Sequence, residues 1–286
     1  MRVTATNGIS FLAPAKLNIT LRVFGKRPDG YHHVRSVMVP VTLYDEVTVE
    51  EIPSGIEVET DDPDVPPGEE NLCHRAAARF LAWAGNGGGA RVRVTKRIPL
   101  EAGLGGGSSD AAATLKGLSA LTGRTPPAQT LLSMAAEVGA DVPFFTLVGV
   151  PALAQGIGDR LTPVEWRVPF HALIVKPSFG LPTAEGYARL GRPPGDPPAG
   201  DRTPSFRSWE DVVAAVGNDF EESWGADRPE IGGIKEELLG AGAKAAALTG
   251  SGSAVYGLFA RSEDARRAEG ELAKGEGRRL FVVRNI

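Results

Sequence analysis

A glycine-rich run near the middle of the chain has the residue types best suited to chemistry. It consists of Gly103, Leu104, Gly105, Gly106, Gly107, Ser108, Ser109 and Asp110. The run follows a strand-like segment at residues 91–97 and precedes three alanines, which favour a helix. A glycine-rich loop that opens a helix presents unpaired backbone N–H groups and the positive end of the helix dipole to an anion. The run therefore predicts a phosphate-binding loop.

This loop differs from two common nucleotide-binding motifs. No Gly-Lys-Ser/Thr sequence closes it as in a Walker loop, and its glycines are not spaced as in the dinucleotide fingerprint. The alternative is a flexible turn in which Ser108 or Ser109 only caps the helix. Because a cap does not need four glycines in five positions, phosphate binding is the preferred interpretation.

Three further segments carry polar residues in informative settings. Lys16 and Asn18 share one face of a predicted strand, so Lys16 is either an edge-strand residue or a pre-placed cation. The sequence alone favours the edge position. Asp141 precedes a proline and two phenylalanines, which suits either a functional carboxylate or an ordinary turn residue. A second Gly/Ser loop at residues 248–254 favours a tight β-turn.

Composition narrows the functional classes. The chain has 286 residues and a net charge of −4, which gives no basic footprint for nucleic acid. Its single cysteine, Cys73, excludes an internal disulfide, fits a reducing compartment and is expected to be a small core residue. The first residues lack the apolar core of a signal peptide, and no apolar run approaches the roughly 20 residues that cross a bilayer. We expect a cytoplasmic protein that binds neither nucleic acid nor membrane.

Periodic patterns predict the elements that position these residues. Alternating apolar residues predict a β-rich segment at 9–60, with a turn at Pro28-Asp29-Gly30. Helices are predicted from about 72 to 84 with Asn71 as the cap, from the glycine-rich run to near 123, and from 125 to 139. The inward residues expected on the first and third of these helices are Leu72, Ala76, Phe80, Trp83, Leu131, Leu132, Ala135 and Val138.

The last third of the chain is predicted to alternate strands and helices. The elements are a strand at 172–175, a short helix after Pro182, further helices leading to residues 245–248, a strand at 255–259, a helix at 263–274 and a strand at 280–283. A Pro/Gly-rich stretch at 191–204 predicts a mobile surface loop. A change of pattern after residue 163 suggests two domains, 1–163 and 164–286.

Taken in order, residues 14–18, the glycine-rich run and residues 248–254 resemble the three motifs of the GHMP kinase superfamily. The segment Gly-Lys-Arg-Pro-Asp-Gly-Tyr-His at 25–32 and residues 139–145 make the resemblance more specific. It extends over most of the chain and is weakest at 191–228. It implies an α+β fold in two domains with the active cleft between them. The N-terminal mixed α/β domain would carry the glycine-rich loop and Asp141, and the C-terminal domain would be ferredoxin-like.

The resemblance also implies an activity. It indicates an ATP- and Mg²⁺-dependent kinase that phosphorylates the 2-hydroxyl of 4-diphosphocytidyl-2-C-methyl-D-erythritol, in the non-mevalonate route to isoprenoid precursors. A kinase of homoserine or mevalonate type and a catalytically silent nucleotide-binding protein are the alternatives. An RNA-binding module is disfavoured by the acidic balance. The expected oligomeric state is a monomer or a weak homodimer.

The same resemblance implies a role for each matching position. Asp141 would be the general base, and Lys16 would keep that carboxylate ionised and steady the developing charge. Asn71 and Lys96 would lie near the adenosine of ATP, and residues 103–110 would wrap its phosphates. The positions implied to bind the acceptor substrate are Asn18, Tyr31, His32, Asp141, Tyr187, Gly250, Ser251 and Gly252. Among these, Tyr31 and His32 would recognise cytosine, with Tyr187 as a second stacking face.

Overall fold

The computed structural model describes residues 2–3, 8–85, 87–197, 202–273, 275 and 277–286. The strands are β1 (Arg2–Val3), β2 (Ile9–Lys26), β3 (His32–Ile52), β4 (Ile56–Thr60), β5 (Gly89–Thr95), β6 (Ala152–Gly156), β7 (Arg160–Pro163), β8 (Glu165–Trp166), β9 (His171–Lys176), β10 (Ser205–Phe206), β11 (Gly217–Asn218), β12 (Ala245–Leu248), β13 (Val255–Phe259) and β14 (Arg279–Arg284). The α-helices are α1 (Leu72–Ala84), α2 (Gly106–Thr122), α3 (Ala128–Val138), α4 (Thr183–Leu190), α5 (Trp209–Ala215), α6 (Phe220–Trp224), α7 (Pro229–Gly240) and α8 (Ser262–Leu272). A 3-10 turn at Gly68–Glu70 and a π-helix at Phe144–Val148 complete these elements.

The chain forms two compact units that are interleaved in sequence. The first unit consists of Met1–Ala15, Leu43–Leu100 and Gly105–Gly149, and the second of Lys16–Thr42, Glu101–Leu104 and Val150–Ile286. The long strands β2 and β3 each contribute residues to both units. The predicted domains 1–163 and 164–286 are contiguous, so they differ from these units in their boundaries.

In the first unit, helices pack on a small sheet. The second half of β3 pairs antiparallel with β5, and β4 pairs parallel with β5. Alternation along β3 buries Val47 and Val49. Helix α2 lies close to this strand, because a β-carbon added at Gly117 would lie 2.6 Å from Val49 Cγ2. Helix α1 packs against α2, and α3 packs against α1 and the π-helix.

Helix α1 begins and ends where the sequence predicts. The Asn71 side chain accepts the N–H of Cys73 at 2.8 Å, and Gly85 ends the helix in the left-handed region at φ +65°. The prediction that Ala76 and Phe80 face inward is confirmed, because both side chains are buried. Trp83 is wrong as an inward residue, because it is 37% exposed and meets Phe80 edge-on at the rim of the core.

The second unit contains the predicted ferredoxin-like arrangement. Strands β9, β12, β13 and β14 form an antiparallel sheet in the order β12-β13-β9-β14, with α7 and α8 packed on it. Numbered along the chain, the strands lie in the order 2-3-1-4, which is the order of the split βαβ fold. The core between sheet and helices includes Leu173, Ile234, Leu238 and Phe259. Strand β6 pairs with the first half of β3, and β11 pairs with β2.

The structure excludes the alternative in which a serine caps α2, and it corrects part of the expected inward face of α3. Helix α2 begins at Gly106, inside the glycine run, and its N-cap is Gly105 in the left-handed region at φ +73°. Neither Ser108 nor Ser109 is therefore the cap. On α3, Leu131 and Leu132 are only half-buried, whereas Met134 is buried together with the predicted Ala135 and Val138.

The predicted loop at 191–204 is irregular chain over residues 191–197 and 202–204, and residues 198–201 lie outside the described residues. Pro194 forms an isolated bridge with Lys26 at the end of β2. Within the described residues, no helix is both long and apolar enough to cross a membrane.

Candidate functional site

The start of helix α2 in the first unit exposes polar groups for a ligand. The N–H of Ser109 donates to the carbonyl of Gly105 at 2.9 Å, so the N–H groups of the residues between them precede the first intrahelical bond. Ser109 Oγ and Asp110 Oδ1 are buried and, among the described residues, have no hydrogen-bond partner. Since buried polar atoms are normally paired, this helix start has the features of an anion or nucleotide site.

A buried charged group lies beside this helix start. Lys96 Nζ donates to Asp110 Oδ2 at 2.7 Å and to Asp45 Oδ2 at 2.5 Å. The other oxygen of Asp45 accepts the backbone N–H groups of Arg97 at 2.5 Å and Ile98 at 2.8 Å. The side chains of Lys96 and Asp110 are 4% and 5% exposed, and that of Asp45 is fully buried.

Burial and mutual attraction set the charges of this group. Burial raises the pKa of Asp110; Lys96 opposes that rise and Asp45 adds to it. Burial alone would lower the pKa of Lys96, but the carboxylates of Asp110 and Asp45 outweigh it and raise the pKa. Asp45 could not be recognised from the sequence, because no local pattern separates it from the surface residue Glu46 that follows it.

A cavity of about 130 Å³ in the first unit is lined by several of the residues predicted to bind the nucleotide. Its lining includes Asn71, Lys96, Gly107 and Asp110. Gly106 lies in a crowded position, because an added β-carbon would lie 2.9 Å from Ile98 Cγ2 and 3.2 Å from Lys96 Nζ.

Two further observations concern metal and thiol chemistry. In the part of the chain that the structure describes, no group of three or more His, Cys, Asp or Glu side chains is arranged to hold a metal ion. Cys73, also on the cavity wall, is buried, and burial raises the pKa of its thiol, so the core interpretation is confirmed.

Asp141 lies on a turn just after α3 and is half-buried. The turn is closed by the N–H of Val142, which donates to the carbonyl of Gly139 at 3.1 Å. The π-helix follows immediately, and Lys116 Nζ on α2 donates to its Phe145 carbonyl at 2.7 Å. Burial lowers the pKa of Lys116. Because π-helical turns occur frequently at functional sites, this setting is compatible with a functional carboxylate.

In the second unit, Lys16 is buried and tied to Asn18. Lys16 is only 4% exposed, so its interpretation as an edge-strand residue is wrong. Its ammonium donates to Asn18 Oδ1, which also accepts the N–H of Gly250 at 2.9 Å. Asn18 Nδ2 donates to Ser36 Oγ at 2.6 Å. The structure thus brings together the predicted positions Lys16, Asn18 and Gly250.

The first part of the glycine-rich run belongs to this second unit and meets the other Gly/Ser loop. Gly103 has φ +71°, and an added β-carbon would lie 2.0 Å from the carbonyl oxygen of Thr249. The N–H groups of Ser253 and Ala254 donate to the carbonyls of Glu101 and Ala102 at 3.1 and 3.2 Å. Only glycine permits so close an approach of two backbones.

The Gly/Ser loop at 248–254 is the predicted turn, because it joins the antiparallel strands β12 and β13. Asn218, which sequence analysis missed, holds it by donating from Nδ2 to the carbonyls of Leu248 and Gly250, both at 2.8 Å. Ser251 Oγ shares a hydrogen bond of 2.7 Å with Thr183 Oγ1. Nearby, the N–H of Lys16 donates to the carbonyl of Leu104 in the glycine-rich run at 2.9 Å.

Aromatic rings of the second unit form a stacked pair. His32 and Tyr187 stack with ring centroids 5.1 Å apart and an interplanar angle of 16°. A base between them would require the two rings to separate. Tyr187 also meets Phe220 edge-on, with ring centroids 4.9 Å apart. Burial, and then Lys26, lowers the pKa of His32, which favours a neutral imidazole. Tyr31 is 62% exposed beside the turn at Gly30.

Comparisons with known proteins cover nearly the whole chain. The model of the GHMP kinases N terminal domain matches residues 71–149, and that of the GHMP kinases C terminal domain matches residues 206–277. A 4-diphosphocytidyl-2-C-methyl-D-erythritol kinase of Geobacter metallireducens is 41% identical over 280 residues, which cover 97% of this chain and 99% of that protein. The protein of the same name from Pelotomaculum thermopropionicum is 42% identical over 286 residues, with 97% and 98% covered. A crystal structure of 4-(cytidine 5'-diphospho)-2C-methyl-D-erythritol kinase matches with a TM-score of 0.79 and 34% identity, covering 96% of this chain and 99% of that one.

Proposed function

This chain belongs to the GHMP kinase family, and we propose that it transfers the γ-phosphoryl group of ATP to the 2-hydroxyl of 4-diphosphocytidyl-2-C-methyl-D-erythritol. The products are the 2-phosphate and ADP, in the non-mevalonate route to isoprenoid precursors. The observation that carries this proposal is the identity of about two residues in five, over 97% of the chain, to kinases named for this substrate.

The start of α2 supports the nucleotide part of the proposal. Phosphoryl transfer depends mainly on positioning and on neutralising negative charge, and a helix N-terminus supplies both to phosphate oxygens. We assign the phosphates to residues 103–110 and the adenosine to the cavity beside Asn71 and Lys96. A magnesium ion bound with ATP would supply further positive charge to neutralise the phosphates.

Lys16 and Asp141 are the proposed catalytic residues. The carboxylate of Asp141 accepts the proton of the attacking 2-hydroxyl, and the ammonium of Lys16 stabilises the charge that develops there. A buried lysine whose ammonium is fixed by Asn18 supports this role, since a lysine is rarely buried without a charged or polar partner. The short π-helix after Asp141 supports a defined position for that carboxylate.

Aromatic and loop residues of the second unit are the proposed acceptor-binding groups. Cytosine is neutral and flat, so ring faces suit it better than an ion pair does. The exposed ring of Tyr31 and the stacked pair of His32 and Tyr187 supply such faces. Asn18 and the loop with Gly250, Ser251 and Gly252 are proposed to contact the rest of the substrate.

We also propose that the enzyme acts in the cytoplasm as a monomer or weak homodimer. The single buried cysteine is compatible with a reducing compartment. Sedimentation velocity over a hundredfold concentration range tests the oligomeric state, and a tight dimer throughout that range would contradict it.

A coupled assay of ADP release tests the activity. We expect turnover with 4-diphosphocytidyl-2-C-methyl-D-erythritol and none with homoserine or mevalonate. Turnover with only one of the latter two would show that the proposed acceptor is wrong while leaving the family intact.

The variant Asp141→Asn tests the proposed base. A positioned base contributes about 10²–10⁴-fold, so kcat should fall by at least about 100-fold. Glu137→Gln is the matched control, because this exposed carboxylate of α3 pairs only with surface arginine Arg79 among the described contacts. Full activity of Asp141→Asn would remove the general-base role.

A further inference from the structure

We propose that Asp45 is a positioning residue of the nucleotide site, which fixes the ammonium of Lys96 against Asp110 at the start of α2. This inference rests on the proposed function only in taking ATP as the nucleotide that the cavity binds. Asp45 does not line the cavity, so it acts through Lys96.

The contacts of Asp45 fix its carboxylate on two sides. One oxygen accepts two backbone N–H groups, from Arg97 and Ile98, and the other accepts the ammonium of Lys96. A fully buried carboxylate with all these bonds has one available orientation. Asp45 therefore joins the chain just beyond β5 to the lysine that enters the cavity.

Lys96 carries that constraint to the glycine-rich loop. Its ammonium also donates to Asp110 in the first turn of α2, and it lies 3.2 Å from the place that a β-carbon at Gly106 would take. The second oxygen of Asp110 has no partner among the described residues, and Asp110 lines the cavity. The positions of Lys96 and Asp110 in the cavity are thus set by Asp45 from behind.

A purely electrostatic role of Asp45 and a positioning role predict opposite effects of Asp45→Asn on ATP binding. If Asp45 acted only through its charge, removing one negative charge near bound phosphates would tighten ATP binding. If it positions Lys96, the amide loses the charge-assisted bond while one oxygen still accepts the backbone N–H groups, and ATP binding weakens.

The experiment measures ATP binding by calorimetry and steady-state kinetics for both substrates. For Asp45→Asn we expect the Kd and KM for ATP to rise about tenfold, with kcat and the KM for the acceptor within about twofold of the wild type. Asp61→Asn is the matched control: this exposed carboxylate accepts the backbone N–H of the same lysine at 2.8 Å, and its variant should bind ATP normally.

A double-mutant comparison tests the route through Lys96. In a Lys96→Met background, adding Asp45→Asn should leave the ATP Kd unchanged, because the group on which Asp45 acts is gone. This comparison also serves if the single variant Asp45→Asn does not fold, since the double variant removes the ammonium together with one of the two carboxylates that share it.

Unchanged or tighter ATP binding by Asp45→Asn, or a further loss in the double variant, would overturn the inference. Failure of the wild type to bind ATP would instead contradict the proposed function. The two failures are therefore distinguishable in the same set of titrations.

Discussion

Two carboxylates share one ammonium in the interior of the first unit, where Asp45 and Asp110 both contact Lys96. One negative charge is therefore not balanced within this group. The unbalanced charge affects Asp110: burial raises the pKa of this carboxyl, and the nearby carboxylate of Asp45 raises it further. Asp45 accepts three hydrogen bonds, whereas Oδ1 of Asp110 has no partner among the described residues.

The raised pKa of Asp110 predicts a pH dependence of stability. A carboxyl whose pKa is higher in the folded than in the unfolded state contributes most stability below its unfolded value, and that contribution is lost as the pH rises through the folded value. With a shift from 3.8 to about 7, the loss falls between those two pH values. The variant Asp110→Asn does not titrate, so it should gain stability relative to the wild type as the pH rises from 4 to 8. Urea unfolding at each pH measures the difference, and a difference that is constant with pH would contradict the prediction.

The environment of a residue could be predicted from the sequence where it depends on neighbouring residues. It could not be predicted where the contacting residue is distant along the chain. The pattern around Lys16 places it on a polar face of a strand but cannot show whether another segment covers that face. The covering contact comes through Asn18 to Gly250, 232 positions away. Asp45 was missed for the same reason, because its partners Lys96, Arg97 and Ile98 lie about 50 positions further along the chain.

At the scale of elements, the spacing of apolar residues and the helix-capping residues predicted most of the helices and strands. The strand predicted at 255–259 coincides with β13, and the loop before it contains a β-turn, in which the N–H of Gly252 donates to the carbonyl of Thr249 at 3.0 Å. The start of α2 was less predictable, because glycine is a poor helix former and usually marks a loop. Tertiary packing favours glycine here, because a β-carbon at Gly106 would crowd the side chains of Ile98 and Lys96.

A matched pair of glycine variants tests this packing argument. In Gly106→Ala the new β-carbon would lie 2.9 Å from Ile98 Cγ2 and 3.2 Å from Lys96 Nζ, and such overpacking costs about 1–3 kcal/mol. In Gly107→Ala the nearest atom is Leu72 Cδ1 at 3.6 Å, an ordinary contact, and alanine favours the helix by roughly 0.5–1 kcal/mol. Urea unfolding should thus give a lower free energy of unfolding for Gly106→Ala and an equal or higher one for Gly107→Ala. Equal losses in both variants would mean that crowding at Gly106 is not the cause.

At the scale of the whole molecule, the two compact units do not follow a single cut of the chain. The change of pattern after residue 163 suggests a boundary near residue 164, whereas the second unit also contains Lys16–Thr42 and Glu101–Leu104. The strands β2 and β3 each contribute residues to both units. No local sequence pattern marks the point where a long strand passes from one unit to the other, so this interleaving could not be predicted. The matched family regions, 71–149 and 206–277, lie on opposite sides of the predicted boundary.

The interleaving predicts which parts of the second unit depend on the early segments. In a fragment of residues 164–286, the N–H of Asp219 loses its acceptor, the Leu21 carbonyl at 2.9 Å, and those of Ser253 and Ala254 lose Glu101 and Ala102. The sheet of β9, β12, β13 and β14 keeps all its pairings.

Hydrogen exchange followed by NMR, in the fragment and in the full chain, separates the two groups of amides. Amide protection follows local hydrogen bonding, so those at 219, 253 and 254 should exchange much faster in the fragment, whereas those of β13 should stay protected relative to them. Equal protection of both groups would mean that the early segments do not support the loop at 248–254. Faster exchange confined to the first group would identify residues 16–42 and 101–104 as part of the same folding unit as the ferredoxin-like sheet.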